Sequence, residues 1–240
     1  MLTFYKTLLA PALLLQGQHL RRTALRLPEA AGERSGFIPG TVSEPLRLLF
    51  VGDSSAAGVG VECQHEALAQ QTAEIVARES KLSVRWCLIA KSGASTRDAI
   101  ELVKAHPSER ADVVVSALGV NDVTAQNSSR RFVRDYKELL SVVAQRTGAT
   151  AAVVSGLPPL HILPAAPQPL RWYLGQCAKR LDAALQDLCE SHPNAKFVSL
   201  TWAKASEMAR DKFHPGKGQY KRWSELVALQ ILSVARRSAA

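Results

Sequence analysis

The sequence predicts an α/β domain, a doubly wound, flavodoxin-like sheet of five parallel strands with helices on both faces. Three observations carry this reading. Short apolar runs recur at Leu46–Val51, Ser83–Ala90, Asp112–Leu118, Thr150–Ser155 and Lys196–Leu200, and longer stretches of helical pattern alternate with them. Each of the first three runs empties into small or polar residues, as strand ends facing a ligand crevice do. A chain of 240 residues, 47% hydrophobic, is large enough to bury one full core. There are no internal repeats.

The elements follow in order. Leu8 to Leu15 is apolar, with Lys6 before it and Arg21-Arg22 after it. It is well short of the roughly 20 residues that span a bilayer, and Gln16-Gly17-Gln18 makes a poor cleavage site. A helix lying on a membrane surface or on the domain itself is expected, with peripheral membrane contact through residues 1–22 favoured and an export signal as the alternative. Residues 27–45 hold Pro28, Gly32, Gly36, Pro39, Gly40 and Pro45 and read as an extended connector. The layout is thus an N-terminal helix and connector over 1–45, then the α/β domain over 46–240.

Within the domain, Leu46–Val51 delivers Gly52-Asp53-Ser54 to a strand end. Glu66 to Ser80 is helical, with Leu68, Ile75 and Val76 on one face. Ser83–Ala90 leads to Lys91-Ser92-Gly93, and Thr96–Ala105 is a short helix. Asp112–Leu118 leads to Gly119-Val120-Asn121-Asp122, and an amphipathic helix over Phe132–Arg146 follows. After Thr150–Ser155, Gly156-Leu157-Pro158-Pro159 opens a Pro-rich loop to Pro169, which is either a wall of the site or a stiff connector. Helices over Trp172–Ser191 and Gly218–Arg237 flank the fifth strand.

Composition narrows the function. The net charge is +9, but the basic residues are scattered, without a stripe interleaved with aromatics. Nucleic acid is therefore not an expected partner; a solvated basic surface drawn to anionic lipid or polymer is. Cys63, Cys87, Cys177 and Cys189 are dispersed and read as buried thiols of a reducing, cytoplasmic protein. No metal is expected, because no His lies at ligand spacing from a Cys.

The strand-end residues supply the chemistry. A serine hydroxyl needs a base, and His214 is the candidate. Asp211, three residues earlier, can hold one imidazole nitrogen and leave the other for Ser54. A carbonyl under attack needs donors for its oxygen: the N–H groups of Ser54 and Gly93 and the amide of Asn121 lie past three different strand ends. The competing readings are a cap at Ser54 and a capping pair at Asp211 and His214.

Gly52-Asp53-Ser54, Gly93, Gly119-Val120-Asn121-Asp122 and Asp211-Lys212-Phe213-His214 together resemble, in order, the four motif blocks of the SGNH (GDSL-type) serine hydrolases. The resemblance spans Leu46 to the C-terminus. It implies the SGNH-hydrolase architecture, a Ser54–His214–Asp211 triad, an oxyanion hole of Ser54, Gly93 and Asn121, no cofactor, and hydrolysis of short-acyl esters of a small molecule, acylated sugar or lipid. Asp53 and Asp122 read as structural. One departure is Ser55 where the family name implies Leu, which puts a second hydroxyl beside Ser54. Two other classes compete: a phosphate- or nucleotide-binding flavodoxin-like module using the Gly52–Gly60 turn, and a catalytically silent carbohydrate-binding relative. Neither uses Asn121, Asp211 and His214 together.

Overall fold

The structure, a computed structural model, describes residues 2–107 and 109–238. After two N-terminal helices, α1 (Leu2–Leu8) and α2 (Ala10–Thr23), come strands β1 (Ser35–Ile38) and β2 (Val42–Gly52). Then α3 (Leu68–Ser80), β3 (Leu82–Ala90), α4 (Thr96–Ala105), β4 (Val113–Ala117), the short α5 (Val120–Thr124), α6 (Ser129–Thr147) and β5 (Ala151–Ser155) alternate. The chain closes with α7 (Leu170–Glu190), β6 (Ala195–Val198) and α8 (Lys217–Ser238).

Strand order is β1-β3-β2-β4-β5-β6. All neighbours from β3 to β6 pair in parallel. From β2 the chain steps one way to β3 and then back past β2 to β4, so the winding reverses between β2 and β4. Open α/β sheets place ligands in the crevice at such a switch point, beyond the strands' carboxyl ends. The register makes this concrete, since Gly52 is level with Ala90 on one side and Ala117 on the other. The loops after β2, β3 and β4 therefore leave at one height.

Successive residues of a strand point to opposite faces, and β2 serves two cores by this alternation. Leu49 and Val51 join Ile100, Phe132, Leu139, Leu181 and Leu185 of α4, α6 and α7. Leu48 and Phe50 join Leu68 and Val76 of α3 and Val227 and Ile231 of α8. Each such fully buried side chain is worth about 1.5–3 kcal/mol, so the sheet is stabilised from both sides. Local signals set the helix ends. Ser95 and Asp98 form a reciprocal capping box on α4, and Ser128 caps α6.

Two features depart from the sequence reading. The connector 27–45 contributes β1, which pairs antiparallel with β3 from Ser35 opposite Cys87 to Ile38 opposite Val84. This makes six strands rather than five. The cysteines are also less buried than expected. All four are free thiols, but only Cys189 is buried, while Cys63, Cys87 and Cys177 are half-buried. Cys87 lies on β3 opposite Ser35 of the edge strand β1.

The N-terminal helices lie on α7. Leu13 is buried in the core there, with Leu9 and Leu20 packed beside it. The Gln16 side chain donates to the Gln168 carbonyl at 2.8 Å and accepts from the Leu170 N–H at 3.1 Å. Tyr5 meets Trp172 edge-on. No helix among the described residues is long and apolar enough to cross a membrane.

Candidate active site

β2 runs straight into a tight turn. Asp53 and Ser54 give their carbonyls to the N–H groups of Ala57 and Val59, at 2.9 and 3.0 Å. The closing helix grips this turn from behind. The buried Tyr220 hydroxyl lies 2.8 Å from the carbonyls of both Ser55 and Val59. One turn on, Trp223 donates its indole N–H to Ser155 at the end of β5, at 2.9 Å. Sequence reasoning missed both aromatics. Their spacing of three on one helix face was the available signal of an inward-facing pair.

The loop before α8 folds on Asp211. One carboxylate oxygen accepts the N–H groups of Phe213 and His214, at 3.0 and 3.1 Å. The other lies 2.6 Å from His214 Nδ1. Burial pushes the Asp211 carboxyl up, but the hydrogen bonds from the His214 ring and from both N–H groups outweigh it, so the pKa is lowered overall. His214 Nε2 reaches Ser54 Oγ at 2.9 Å. The three predicted residues thus form one hydrogen-bonded chain. Ser55, the second hydroxyl, is held instead to Asp53 through its N–H at 2.9 Å.

The two loops approach closely where Gly60 faces Pro215. A Cβ on Gly60 would stand 2.2 Å from the Pro215 carbonyl oxygen, and φ is +110° there, a conformation that side chains rarely adopt. The residue type is therefore imposed twice, by space and by backbone.

Asn121 opens α5, past the end of β4. Its amide nitrogen directs its hydrogens to Asp53 Oδ2 at 3.2 Å and to the Ala94 carbonyl at 3.0 Å. Asp53 thus does more than hold a loop, because it orients this amide. It is buried, and that burial pushes its carboxyl up to about 6 against the opposing hydrogen bond from Ser55. Asp122 is structural, accepting from the N–H and hydroxyl of Thr96 at 3.0 and 2.9 Å and from Asn127 at 2.8 Å. These bonds tie α5 to the start of α4.

Gly93 sits one residue before Ala94, whose carbonyl accepts from the Asn121 amide. Ser54, Asn121 and His214 line one cavity. Gly93 lines a shallow depression beside it with Lys91 and Asp98. The neighbouring Ser92 is pinned by Glu29 of the connector, which accepts its N–H at 2.8 Å and its hydroxyl at 2.7 Å. Arg34 in turn pairs with Glu29 and donates to the Ala90 carbonyl at 2.6 Å. Nothing local in the sequence marks that link.

The walls of the cavity are apolar. Leu118 and Val120 come from the β4 end, Pro158, Leu160 and Leu163 from the Pro-rich loop, and Met208 and Phe213 from the histidine loop. Of the two readings of the Pro-rich loop, the wall is the one observed. Asp182 anchors its start by accepting the Leu157 N–H at 2.7 Å.

A separate group, Cys63, His65 and Glu66, brings three donor atoms within 4.8 Å of one another. Sequence reasoning passed over this Cys-x-His pair. Glu66 is engaged by Lys217 at 2.6 Å, and Cys63 Sγ lies 3.7 Å from His65 Nε2.

Comparison with known proteins bears on the fold and the family. A search of curated sequences returns no match. Among solved structures, the lipase Lip_vut3 from a goat rumen metagenome is 18% identical, with a TM-score of 0.59 over 77% of this chain and 96% of that one. A lipase/acylhydrolase from Enterococcus faecalis is 17% identical, with a TM-score of 0.57 over 78% and 95%. Est24, a carbohydrate acetylesterase from Sinorhizobium meliloti, is 17% identical, with a TM-score of 0.56 over 79% and 99%. At these identities the likeness is one of fold. The family model for the GDSL-like lipase/acylhydrolase family matches residues 50–222. That span holds Ser54, Asn121 and His214 and most of the chain, and the protein belongs to this family of ester hydrolases.

Proposed function

We propose that the protein is a serine esterase that removes short acyl groups through an acyl-enzyme, with Ser54 as nucleophile, His214 as base and Asp211 as its orienting acid. The observation that carries this reading is the unbroken chain from Asp211 Oδ2 through His214 to Ser54 Oγ, at 2.6 and 2.9 Å. In the first half-reaction Ser54 Oγ bonds to the acyl carbon as its proton passes to His214 Nε2. The ester C–O bond then breaks, and His214 returns the proton to the leaving alcohol. Water repeats the sequence, releasing the acid and restoring Ser54. The negative charge on the carbonyl oxygen is met by the N–H groups of Ser54 and Gly93 and by the Asn121 amide. Of the two Asn121 contacts, the longer one to Asp53 is the one that gives way to the oxyanion.

The acyl group occupies the apolar cavity beside Ser54. Its free space is about 70 Å³, on the measure by which one water needs about 10–15 Å³. Space of this size beside apolar walls suits a short acyl chain. The binding-module and silent-relative readings leave the poised imidazole without a task.

The test is hydrolysis of a nitrophenyl ester series by the purified protein without added metal, together with fluorophosphonate labelling. Activity should be highest on short acyl chains and fall as the chain lengthens, and Ser54→Ala should lose labelling and several orders of magnitude in kcat. Full activity in Ser54→Ala, with Ser55 intact, refutes the assignment.

A further inference from the structure

We propose that the outer face of α1 and α2 is a docking surface for an anionic membrane. The two helices act as one rod, because the Leu9 N–H bonds the Tyr5 carbonyl and the Leu13 N–H bonds the Leu9 carbonyl, both at 2.9 Å, across their junction. One side of the rod is satisfied by α7, through Leu13, Leu9, Leu20 and Gln16. The other side is apolar and open: Phe4, Leu8, Leu14 and Leu15 are 66%, 64%, 61% and 68% exposed. Phe4, Leu8 and Leu15 follow one another at four and seven residues, the spacing of a single helical stripe. A helix apolar on both sides is expected within a core or against lipid, and only one side here has a protein neighbour.

Charge identifies the occupant. No Asp or Glu occurs before Glu29, whereas Lys6, Arg21, Arg22 and Arg26 fall within that stretch and are all exposed. None of the four is in an ion pair with a described acid. An apolar stripe flanked by unpaired cations fits the interface of an anionic bilayer, where acyl chains accept the stripe and headgroups the charges. A second copy fits poorly, since face-to-face pairing would bring two such cationic segments together in a chain of net charge +9. The contacts from Gln16 to Gln168 and Leu170 set the rod against the end of the loop that walls the cavity. Delivery of amphiphilic esters from the bilayer to that cavity follows, and this consequence alone rests on the esterase reading.

The test uses the full chain in co-sedimentation with vesicles of phosphatidylcholine, alone or with about a third phosphatidylglycerol. Binding is expected to the anionic vesicles only, and to weaken with salt. The triple variant Phe4→Ser, Leu8→Ser, Leu15→Ser should bind at least tenfold more weakly, with an unchanged melting temperature and unchanged hydrolysis of a soluble nitrophenyl ester. Arg21→Gln with Arg22→Gln should cost about fivefold for each residue. The soluble-ester readout separates a failure of docking from a failure of the esterase reading. Equal binding to both vesicle types, full binding by the triple variant, or no binding by the wild-type chain overturns the proposal. So does a wild-type dimer that the triple variant converts to a monomer without any vesicle binding.

Discussion

Replacing Gly60 by alanine tests whether the nucleophile turn and the histidine loop are locked against each other. The new Cβ would stand 2.2 Å from the Pro215 carbonyl oxygen and 3.4 Å from His214 Cβ. Heavy atoms in contact settle near 3.5 Å, so the two backbones must part by about 1 Å. Ser54 Oγ and His214 Nε2 begin at 2.9 Å, and a further ~1 Å takes them out of hydrogen-bond range. A misplacement of that size costs about a hundredfold in kcat, and because the displaced histidine loop also carries Met208 and Phe213 of the cavity wall, KM should rise with it. Backbone strain adds roughly 1–2 kcal/mol of lost stability. Gly148→Ala is the control, since φ there is +76° but no atom lies within 4 Å of the added Cβ. It carries the strain without the collision and should lower the melting temperature alone. Steady-state kinetics on a nitrophenyl ester and calorimetric melting of the two variants decide the matter. Wild-type kcat in Gly60→Ala, or an equal loss in both variants, refutes the reasoning.

Asn121→Ala should lower kcat by about a hundredfold at nearly constant KM; a rise in KM alone would make the amide a ground-state contact, as steady-state kinetics would show. Asp53 has a folded pKa of about 6 against about 3.9 when unfolded, so the folded state binds the extra proton between those values. Its contribution therefore falls as pH rises from about 4 to about 6, by roughly 3 kcal/mol, and Asp53→Asn should remove that slope from a plot of melting temperature against pH. Asp211, with its lowered pKa, works in the opposite sense: its contribution is present above about pH 4 and is lost as the pH falls through its folded value. Leu13→Ala should cost about 2 kcal/mol, or roughly 5 °C in melting temperature, without changing kcat. Starting the chain at Arg47 removes that contact and β1 together, and should lower the melting temperature further or give aggregates on heating.

The parallel strands and the long helices were legible because their signals are local. An apolar run such as Val113–Val115 cannot be satisfied except by burial on both faces, and Ser95 with Asp98 announces a helix start in four residues. The hydrogen-bonded grouping of Asp211, His214 and Ser54 was legible because a short spacing and three chemically distinctive residue types coincide at strand ends. β1 was hidden because Ser35–Ile38 is only four residues among prolines and glycines. It is a strand through its partner β3 rather than through its own preference. The link from Asp53 to Asn121 joins positions 68 apart and has no local mark. Leu13, Leu14 and Leu15 read alike in sequence, yet only Leu13 is buried, because the position of α7 selects the face.

Tyr220 and Trp223 hold the turn after β2 and the end of β5 from the last helix of the chain, and this makes activity a late event in the life of each molecule. Ser54 and the imidazole it bonds are 160 positions apart. During synthesis, β2 and Ser54 emerge long before His214 and the helix that braces both. Contacts of such separation form slowly and near the end of folding. On the proposed esterase mechanism, a nascent chain or one cut before His214 would carry an unreactive Ser54. In refolding from denaturant, recovery of fluorophosphonate reactivity should track the slowest folding phase and lag behind the return of helical circular dichroism. On that mechanism, Ser54 labelling would act as a covalent clock for closure of the whole domain.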